Sequence, residues 1–333
     1  MGFRPPGGQT DGRNRKDGQK GRTGRMEAHP LIAGRRTREG FRDRLGYAAT
    51  LLSVAVILVA VAAIYLFVFS RGLATFFVNH VNVLDFLFGT EWRPTLTEAE
   101  GGPKFGVLPF IVGSFIVTFF SALIAGPIGI GAAIFMTEIA PSWGRKLMQP
   151  VIEILVGIPS VVYGFTGLTL IVPFLREHAG GLGFGLLAGI LVLAVMILPT
   201  VTSISVDALS AVPPEIKAGS YALGATRWQT IWRILMRASA PGFVTAVIFG
   251  MARAFGEALA VQMVIGNGKN MPTSLLEPAS TITTVITMNM GNTVAGSVEN
   301  NVLWSLALLL LLMSTVFIFA VRWVGRRGRL MSR

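Results

Sequence analysis

Residues 47–69 read YAATLLSVAVILVAVAAIYLFVF and contain no charged side chain. About 20 apolar residues in a helix cross the hydrocarbon core of a bilayer, where every backbone polar group must be paired internally. Five more apolar segments follow, so the sequence predicts an all-α, polytopic membrane protein with six transmembrane helices. The predicted spans are 47–69, 107–135, 152–175, 182–204, 243–265 and 302–324.

The composition excludes an ordinary water-soluble protein. Of the 333 residues, 52% are hydrophobic and 14% are charged, whereas soluble domains carry about 25% charged residues. The absence of cysteine excludes disulfides and thiolate metal sites. The three histidines lie far apart in the sequence, so we predict no metal site. Nucleophiles and bases do not converge in any motif, so we predict no catalytic residues.

The basic residues predict the orientation in the cell membrane. With the N-terminus inside, the inner segments carry 23 of the 29 Lys and Arg residues and the outer loops carry five. This asymmetry predicts that both termini are cytoplasmic. Residues 1–46, rich in Gly and Arg, are predicted to be a disordered cytoplasmic segment beside anionic lipid, and residues 325–333 a basic tail. Binding of nucleic acid by the N-terminal segment is the less favoured interpretation.

Prolines predict two irregular helices. Gly126–Pro127 interrupts the second span and Gly157–Ile158–Pro159 interrupts the third. Proline removes an intrahelical hydrogen bond and kinks a helix. We therefore expect both spans to be bent or broken, with Pro127 and Pro159 as kink or gating residues. The polar outer loop 266–300 is long enough to fold back or to bind a partner.

The fifth span contains a charged pair in the sequence GMARAFGEALAV, residues 250–261. Arg253 and Glu257 are four residues apart, so in a continuous helix they share one face. Charged groups inside a membrane are costly and mark transport paths, and a guanidinium matches the oxygens of an anion. The pair predicts either an anion path or a structural ion pair. Glu138 and Glu153, near span ends, are predicted to reach water.

The inner segment 207–237 predicts two short helices joined at a glycine. Pro214 can begin the first helix, Gly224 can end it in a left-handed turn, and Thr226 with Gln229 forms a capping box for the second. The predicted apolar face of the second helix contains Trp228, Ile231, Trp232 and Leu235. The pair of helices either lies on the membrane surface or binds a cytoplasmic partner.

The inner segment resembles the EAA motif of binding-protein-dependent ABC importer permeases. Three other stretches are similar to PstC-type permeases of high-affinity phosphate importers: FMTEIAPSW (135–143), EILVGIPSVVYGF (153–165) and GMARAFGEALAVQMVIGN (250–267). The resemblance covers roughly residues 47–325. It implies a type I ABC importer permease core over residues 105–324, with the first transmembrane helix, 47–69, outside that core.

The resemblance also implies roles for individual residues. Arg253 and Glu257 match positions that take part in phosphate translocation. The residues matching the ATPase-docking motif are Ala218, Gly219, Ser220, Tyr221, Gly224, Ala225, Thr226 and Arg227. Ala218 stands where the family has glutamate, so a salt bridge from that position to the ATPase cannot form.

The implied partners are a homologous PstA-type permease, two cytoplasmic PstB-type ATPases, an extracytoplasmic PstS-type phosphate-binding protein and membrane lipid. The chain has no GxxxxGK[ST] motif, so ATP is expected to bind to the partner ATPase. We predict a transporter subunit that is not an enzyme and has no cofactor of its own. Alternatives are a permease for sulfate or molybdate, the sister PstA-type permease, and a proton-coupled carrier or channel.

Deleting residues 1–25 should leave topology and uptake unchanged. The truncated chain, begun at Met26, keeps five arginines close to the first span, and charge determines orientation chiefly near helix ends. Accessibility labelling of both termini and a transport assay would test this. Loss of transport by a correctly inserted truncated chain would instead show that the segment binds a partner.

Overall fold

The computed structural model describes residues 30–96, 102–140 and 142–330. Most of the predicted disordered segment, including Met26, and residues 331–333 lie outside this description. The chain divides into two units, residues 1–62 and 63–333. The first helix, α1 (Pro30–Phe77), belongs partly to each.

The prediction of disorder is wrong for residues 30–46, which are helical. Helix propagation adds one hydrogen bond for each residue that is fixed, whereas nucleation is the unfavourable step. A strongly apolar helix from residue 47 onward supplies the nucleus. The preceding residues include good helix formers such as Leu, Ala and Arg, so the helix extends toward the N-terminus. The first span is accordingly longer than predicted, Asp43–Phe77.

The second unit is almost entirely helical. Its helices after α1 are α2 (Val83–Phe88), α3 (Leu108–Ile134), α4 (Ser142–Gly157), α5 (Ser160–Thr166), α6 (Val172–His178), α7 (Leu186–Ser210), α8 (Pro214–Ala222), α9 (Arg227–Gln229), α10 (Met236–Phe255), α11 (Leu259–Gln262), α12 (Ile282–Asn289) and α13 (Val298–Leu330). Three π-helical turns continue α3, α5 and α9: Phe135–Ile139, Gly167–Ile171 and Thr230–Leu235. An antiparallel ribbon, β1 (Trp92–Arg93) and β2 (Lys104–Phe105), lies between α2 and α3.

Among the described residues, length and composition identify five helices that can span a membrane, and a bent helix pair can supply a sixth. This confirms the predicted all-α class. The bent pair, Lys146–Gly157 and Ser160–His178, changes direction by 94°. The predicted break at Gly157–Ile158–Pro159 is therefore confirmed. At Pro127 the helix is not broken, because α3 continues through this residue to Ile134. A bend at Pro127 stays a prediction.

The fifth span has different ends from those predicted. Its helix is continuous from Arg227 to Phe255, through α9, the π-helical turn and α10. It begins at the Thr226 capping box, well before the predicted start at residue 243, because the inner helix and the span are one element. It ends at Phe255, ten residues before the predicted end, and a short helix, α11, follows the break at Gly256.

Helix α7 forms the centre of the second unit's core, with α3 and α10 packed against it. Side chains along α7, including Leu193, Met196 and Ile197, are fully buried. The Ser121 hydroxyl on α3 donates a hydrogen bond to the Ile190 carbonyl oxygen at 3.0 Å, which joins the two helices. Burial of this apolar surface and close helix packing stabilise the arrangement.

The outer loop after α11 folds back into the protein. Ala279 N–H donates to the Ile265 carbonyl oxygen at 3.0 Å, and Ile282 N–H donates to the Ser114 hydroxyl on α3 at 3.0 Å. Ile282 is fully buried. Within the loop, hydrogen bonds from the Thr273 backbone and side chain lower the pKa of Glu277. The predicted long loop is thus a structured part of the core.

Gly113→Ala should destabilise the protein by about 1–3 kcal/mol, the usual cost of overpacking. A Cβ at Gly113 would overlap the carbonyl oxygen of Ser280, where the outer loop crosses α3. Gly131→Ala is the matched control on the same helix, because nothing lies within 4 Å of its Cβ position. Thermal unfolding in detergent should show a lower melting temperature for Gly113→Ala alone. Equal melting temperatures would contradict the packing described.

Candidate translocation path and docking segment

Arg253 lies in the last turn of α10, inside a membrane span. Its Nη1 donates a hydrogen bond to the Thr200 hydroxyl on α7 at 2.9 Å. A positive charge at a helix C-terminus interacts favourably with the helix dipole. Among the described residues, Thr200 is the one side-chain partner of this guanidinium, which has five N–H donors. The remaining donors can therefore serve an anion.

Glu257 does not share a helix face with Arg253, so this prediction is wrong. The helix ends at Phe255, and Glu257 lies in the following turn. Its Oε1 accepts a hydrogen bond from Ala260 N–H at 3.2 Å. In the described ranges, ion pairs join Lys104 to Glu91 and Lys217 to Glu138, and none joins Arg253 to Glu257. The structural ion pair considered from the sequence is therefore not formed.

Helices α5 and α12 contact the chain at the break after α10. The Thr283 hydroxyl on α12 donates to the Glu257 carbonyl oxygen at 2.8 Å. Gly164 on α5 lies so close to Ala260 that an added Cβ would approach Ala260 Cα within 2.8 Å. Pro159 is the N-cap residue of α5. The break at Pro159 and the break at Gly256 thus belong to neighbouring helices, which spacing in the sequence does not reveal.

We define the docking segment as residues 214–235. It runs from α8 through the π-helical turn Thr230–Leu235. Gly224 has φ +79°, and Thr226 and Gln229 form the predicted capping box. Both local predictions are confirmed. The buried hydroxyls of Ser220 on α8 and Thr230 lie 2.9 Å apart and hydrogen bond across the glycine turn. This bond fixes the angle between the two helices.

The residues matching the docking motif differ in exposure. Ala218, Gly219, Tyr221, Gly224, Thr226 and Arg227 are exposed, Ala225 is half-buried and Ser220 is buried. Ser220 therefore supports the segment from within.

The predicted apolar face is only partly correct. Ile231 and Leu235 are buried, but Trp228 and Trp232 are exposed and stack on each other with ring centroids 6.1 Å apart. Residues Thr230–Leu235 form a π-helical turn, which contains more residues per turn than an α-helix. The α-helical spacing assumed from the sequence therefore does not hold here.

The prediction that Glu138 reaches water is wrong. Its side chain is 8% exposed, and its Oε1 lies 2.5 Å from the Lys217 Nζ on α8. Burial of a carboxylate requires such a partner. Lys217 lies 79 positions further along the chain, so no local spacing links the two residues. Glu153 is exposed and accepts a hydrogen bond from Gln149 at 3.1 Å.

Helices that end inside a membrane next to a charged side chain are typical of transport proteins. The fold and the site together define this class: an α-helical membrane transport protein with a helical segment presented outside its spans. The chain belongs to the family of binding-protein-dependent transport system inner membrane components, which matches residues 125–330. It is therefore a multi-pass permease subunit of an ABC importer.

Curated relatives extend this assignment and confirm the resemblance to PstC-type permeases. The chain is 55% identical over 301 residues to the "Probable ABC transporter permease protein YqgH" of Bacillus subtilis, covering 90% of this chain and 96% of the relative. It is 35% identical to the phosphate transport system permease protein PstC of Haemophilus influenzae, covering 72% and 79%. With PstC of Mesorhizobium japonicum it shares 32% identity, covering 91% and 97%.

Solved structures show the same fold. An ABC transporter for import of the polysaccharide alginate matches with a TM-score of 0.58 at 15% identity, covering 88% of this chain and 99% of that chain. The inward-facing MetNI methionine ABC transporter matches with a TM-score of 0.51 at 22% identity, covering 67% and 94%. At these identities the similarity concerns the fold alone, which is that of type I ABC importer permeases.

Gly224→Val should loosen the docking segment. A non-glycine residue in the left-handed region costs about 1–2 kcal/mol, and no atom lies within 4 Å of the Cβ position, so the effect is purely conformational. Hydrogen exchange of residues 214–235 should become faster. Gly224→Asn is the control, because asparagine tolerates this conformation, and it should exchange almost like the native protein. Unchanged exchange in Gly224→Val would exclude strain at this turn.

Proposed function

We propose that this permease conducts inorganic phosphate across the cell membrane in an ATP-driven importer. The observation that carries the proposal is Arg253, which the protein holds at the end of α10 within a span and bonds to Thr200. Guanidinium groups bind tetrahedral oxyanions with paired, charge-assisted hydrogen bonds. The names of the PstC relatives support phosphate as the anion.

Arg253 would receive the anion, and Thr200 would orient the guanidinium. Placing an arginine in the hydrocarbon region costs about 2.5–3.5 kcal/mol or more, so a position inside the protein and next to a helix end is required. Glu257 would act indirectly, because its carboxylate holds the turn after α10 through Ala260 N–H. The role of Glu257 is thus to fix the end of the helix that carries Arg253.

The energy would come from partner subunits. The chain has no phosphate-binding loop of its own, and the docking segment presents Tyr221, Leu223 and Arg227 to its surroundings. We propose that two PstB-type ATPases bind this segment, that a PstA-type permease completes the membrane part, and that a PstS-type protein delivers phosphate. ATP binding would then change the cavity from inward-facing to outward-facing. Both termini would be cytoplasmic.

Arg253→Ala should reduce ATP-driven phosphate uptake at least about tenfold, because hydrogen bonds to charged groups contribute about 1.5–3 kcal/mol. Thr200→Val, which keeps the side-chain shape, should cause a smaller loss. The measurement is uptake of labelled phosphate by vesicles that contain the assembled importer.

Lys269→Ala is the control for loss of a positive charge, because Lys269 is exposed in the outer loop, away from Arg253 in the sequence. It should transport normally. Near-normal uptake by Arg253→Ala would overturn the site. Stronger competition by sulfate or molybdate than by phosphate would support the anion site at Arg253 but would show that the substrate is not phosphate.

A further inference from the structure

The docking segment is joined to the membrane part at three points. Two are covalent: residues 211–213 connect α7 to α8, and the π-helical turn at Thr230–Leu235 continues directly into α10, which carries Arg253. The third is the ion pair between Lys217 on α8 and Glu138 at the end of α3. In the part of the chain that the structure describes, the side-chain hydrogen bonds and ion pairs of α8 are this pair and the Ser220–Thr230 bond.

The ion pair is built into the protein and is not an exposed surface contact. Glu138 is 8% exposed and Lys217 is 30% exposed, and their closest atoms are 2.5 Å apart. Glu138 lies in the π-helical turn Phe135–Ile139, where side chains take directions different from those in a continuous α-helix. The local irregularity thus directs the carboxylate toward α8.

The space around the pair would allow α8 to move if the pair were absent. A cleft of about 260 Å³ lies between α8, α7 and the end of α3, and both Glu138 and Lys217 line it. The glycine turn at Gly224 connects α8 to the second helix with no neighbouring atoms around its Cβ position. Without the ion pair, α8 would keep the Ser220–Thr230 bond and the short connections at its two ends, and we expect its position relative to α3 to be less restricted.

We propose that Lys217 and Glu138 are positioning residues that transmit movement of the docking segment to α3. The ion pair links α8 to α3, and the docking segment continues directly into α10. Helices α3 and α10 would therefore move together when the docking segment moves. Helix α3 packs on α7, whose Thr200 holds Arg253. Movement of α8 is therefore transmitted to Thr200 and Arg253, the two residues of the proposed anion site. This inference rests on the proposed function, in which an ATPase moves the segment.

The first test measures coupling in the assembled importer, reconstituted in liposomes. Glu138→Gln and Lys217→Met should leave ATP hydrolysis in place but lower the phosphate imported per ATP about fivefold or more, since coupling free energies between sites correspond to factors of about 5 to 150. The exchanged pair, Glu138→Lys with Lys217→Glu, should restore much of the ratio. Glu177→Gln, an exposed change on α6 outside the docking segment, is the matched control and should behave like the native protein.

The second test does not depend on the ATPase. The native chain has no cysteine, so spin labels can be placed at Leu223 and Trp143, both exposed. The distance distribution between them in the purified permease should be narrow in the native background and in Glu177→Gln. It should be broad in Glu138→Gln and Lys217→Met, and narrow again in the exchanged pair.

The two tests separate the possible failures. If the native importer shows no ATP-driven phosphate uptake, the proposed function fails, whatever the distance distribution shows. If the native importer works but the variants keep both the native ratio of phosphate to ATP and a narrow distribution, the positioning role is overturned. A broad distribution with a native ratio would also overturn it, because α8 would then be mobile without any effect on coupling.

Discussion

Pairing of backbone polar groups inside the membrane is the constraint on which this structure depends. A continuous helix satisfies it alone, but a helix that stops within a span leaves N–H and C=O groups that need other partners. After α10, the Glu257 carboxylate accepts from Ala260 N–H, and the Thr283 hydroxyl binds the Glu257 carbonyl oxygen. The folded-back outer loop is therefore required by the break, and the break is what places Arg253 at a helix end.

The break after α10 also depends on close approach between neighbouring elements of the chain. Gly164 allows α5 to contact the backbone of Ala260, and Gly113 allows the outer loop to cross α3 at Ser280. Both glycines are positions where a side chain would separate the elements. The site around Arg253 thus depends on small residues in two distant helices as much as on the charged side chains themselves.

The docking segment combines two principles: Ile231 and Leu235 bury apolar surface against the membrane part, and polar contacts hold α8 and the turn. The capping box at Thr226, the Ser220–Thr230 bond and the Lys217–Glu138 ion pair act on three successive parts of one short segment. Trp228 and Trp232 remain exposed beside it. Ala218 lacks the carboxylate of the family motif, and the neighbouring Lys217 makes an internal contact instead. The outward surface of the segment is therefore set by tyrosine, tryptophan, leucine and arginine side chains.

The sequence by itself determined the features that depend on neighbouring residues. These are the six apolar spans, the break at Pro159, the left-handed turn at Gly224, the Thr226 capping box and the family. Helix propensity, proline geometry and capping act over a few residues, so a local pattern is enough to predict them. Only the tertiary structure decided which distant groups meet: Arg253 with Thr200, and Glu138 with Lys217. It also separated Glu257 from the helix face of Arg253, because packing of α5, α11 and α12 around the break outweighed the local preference for a longer helix.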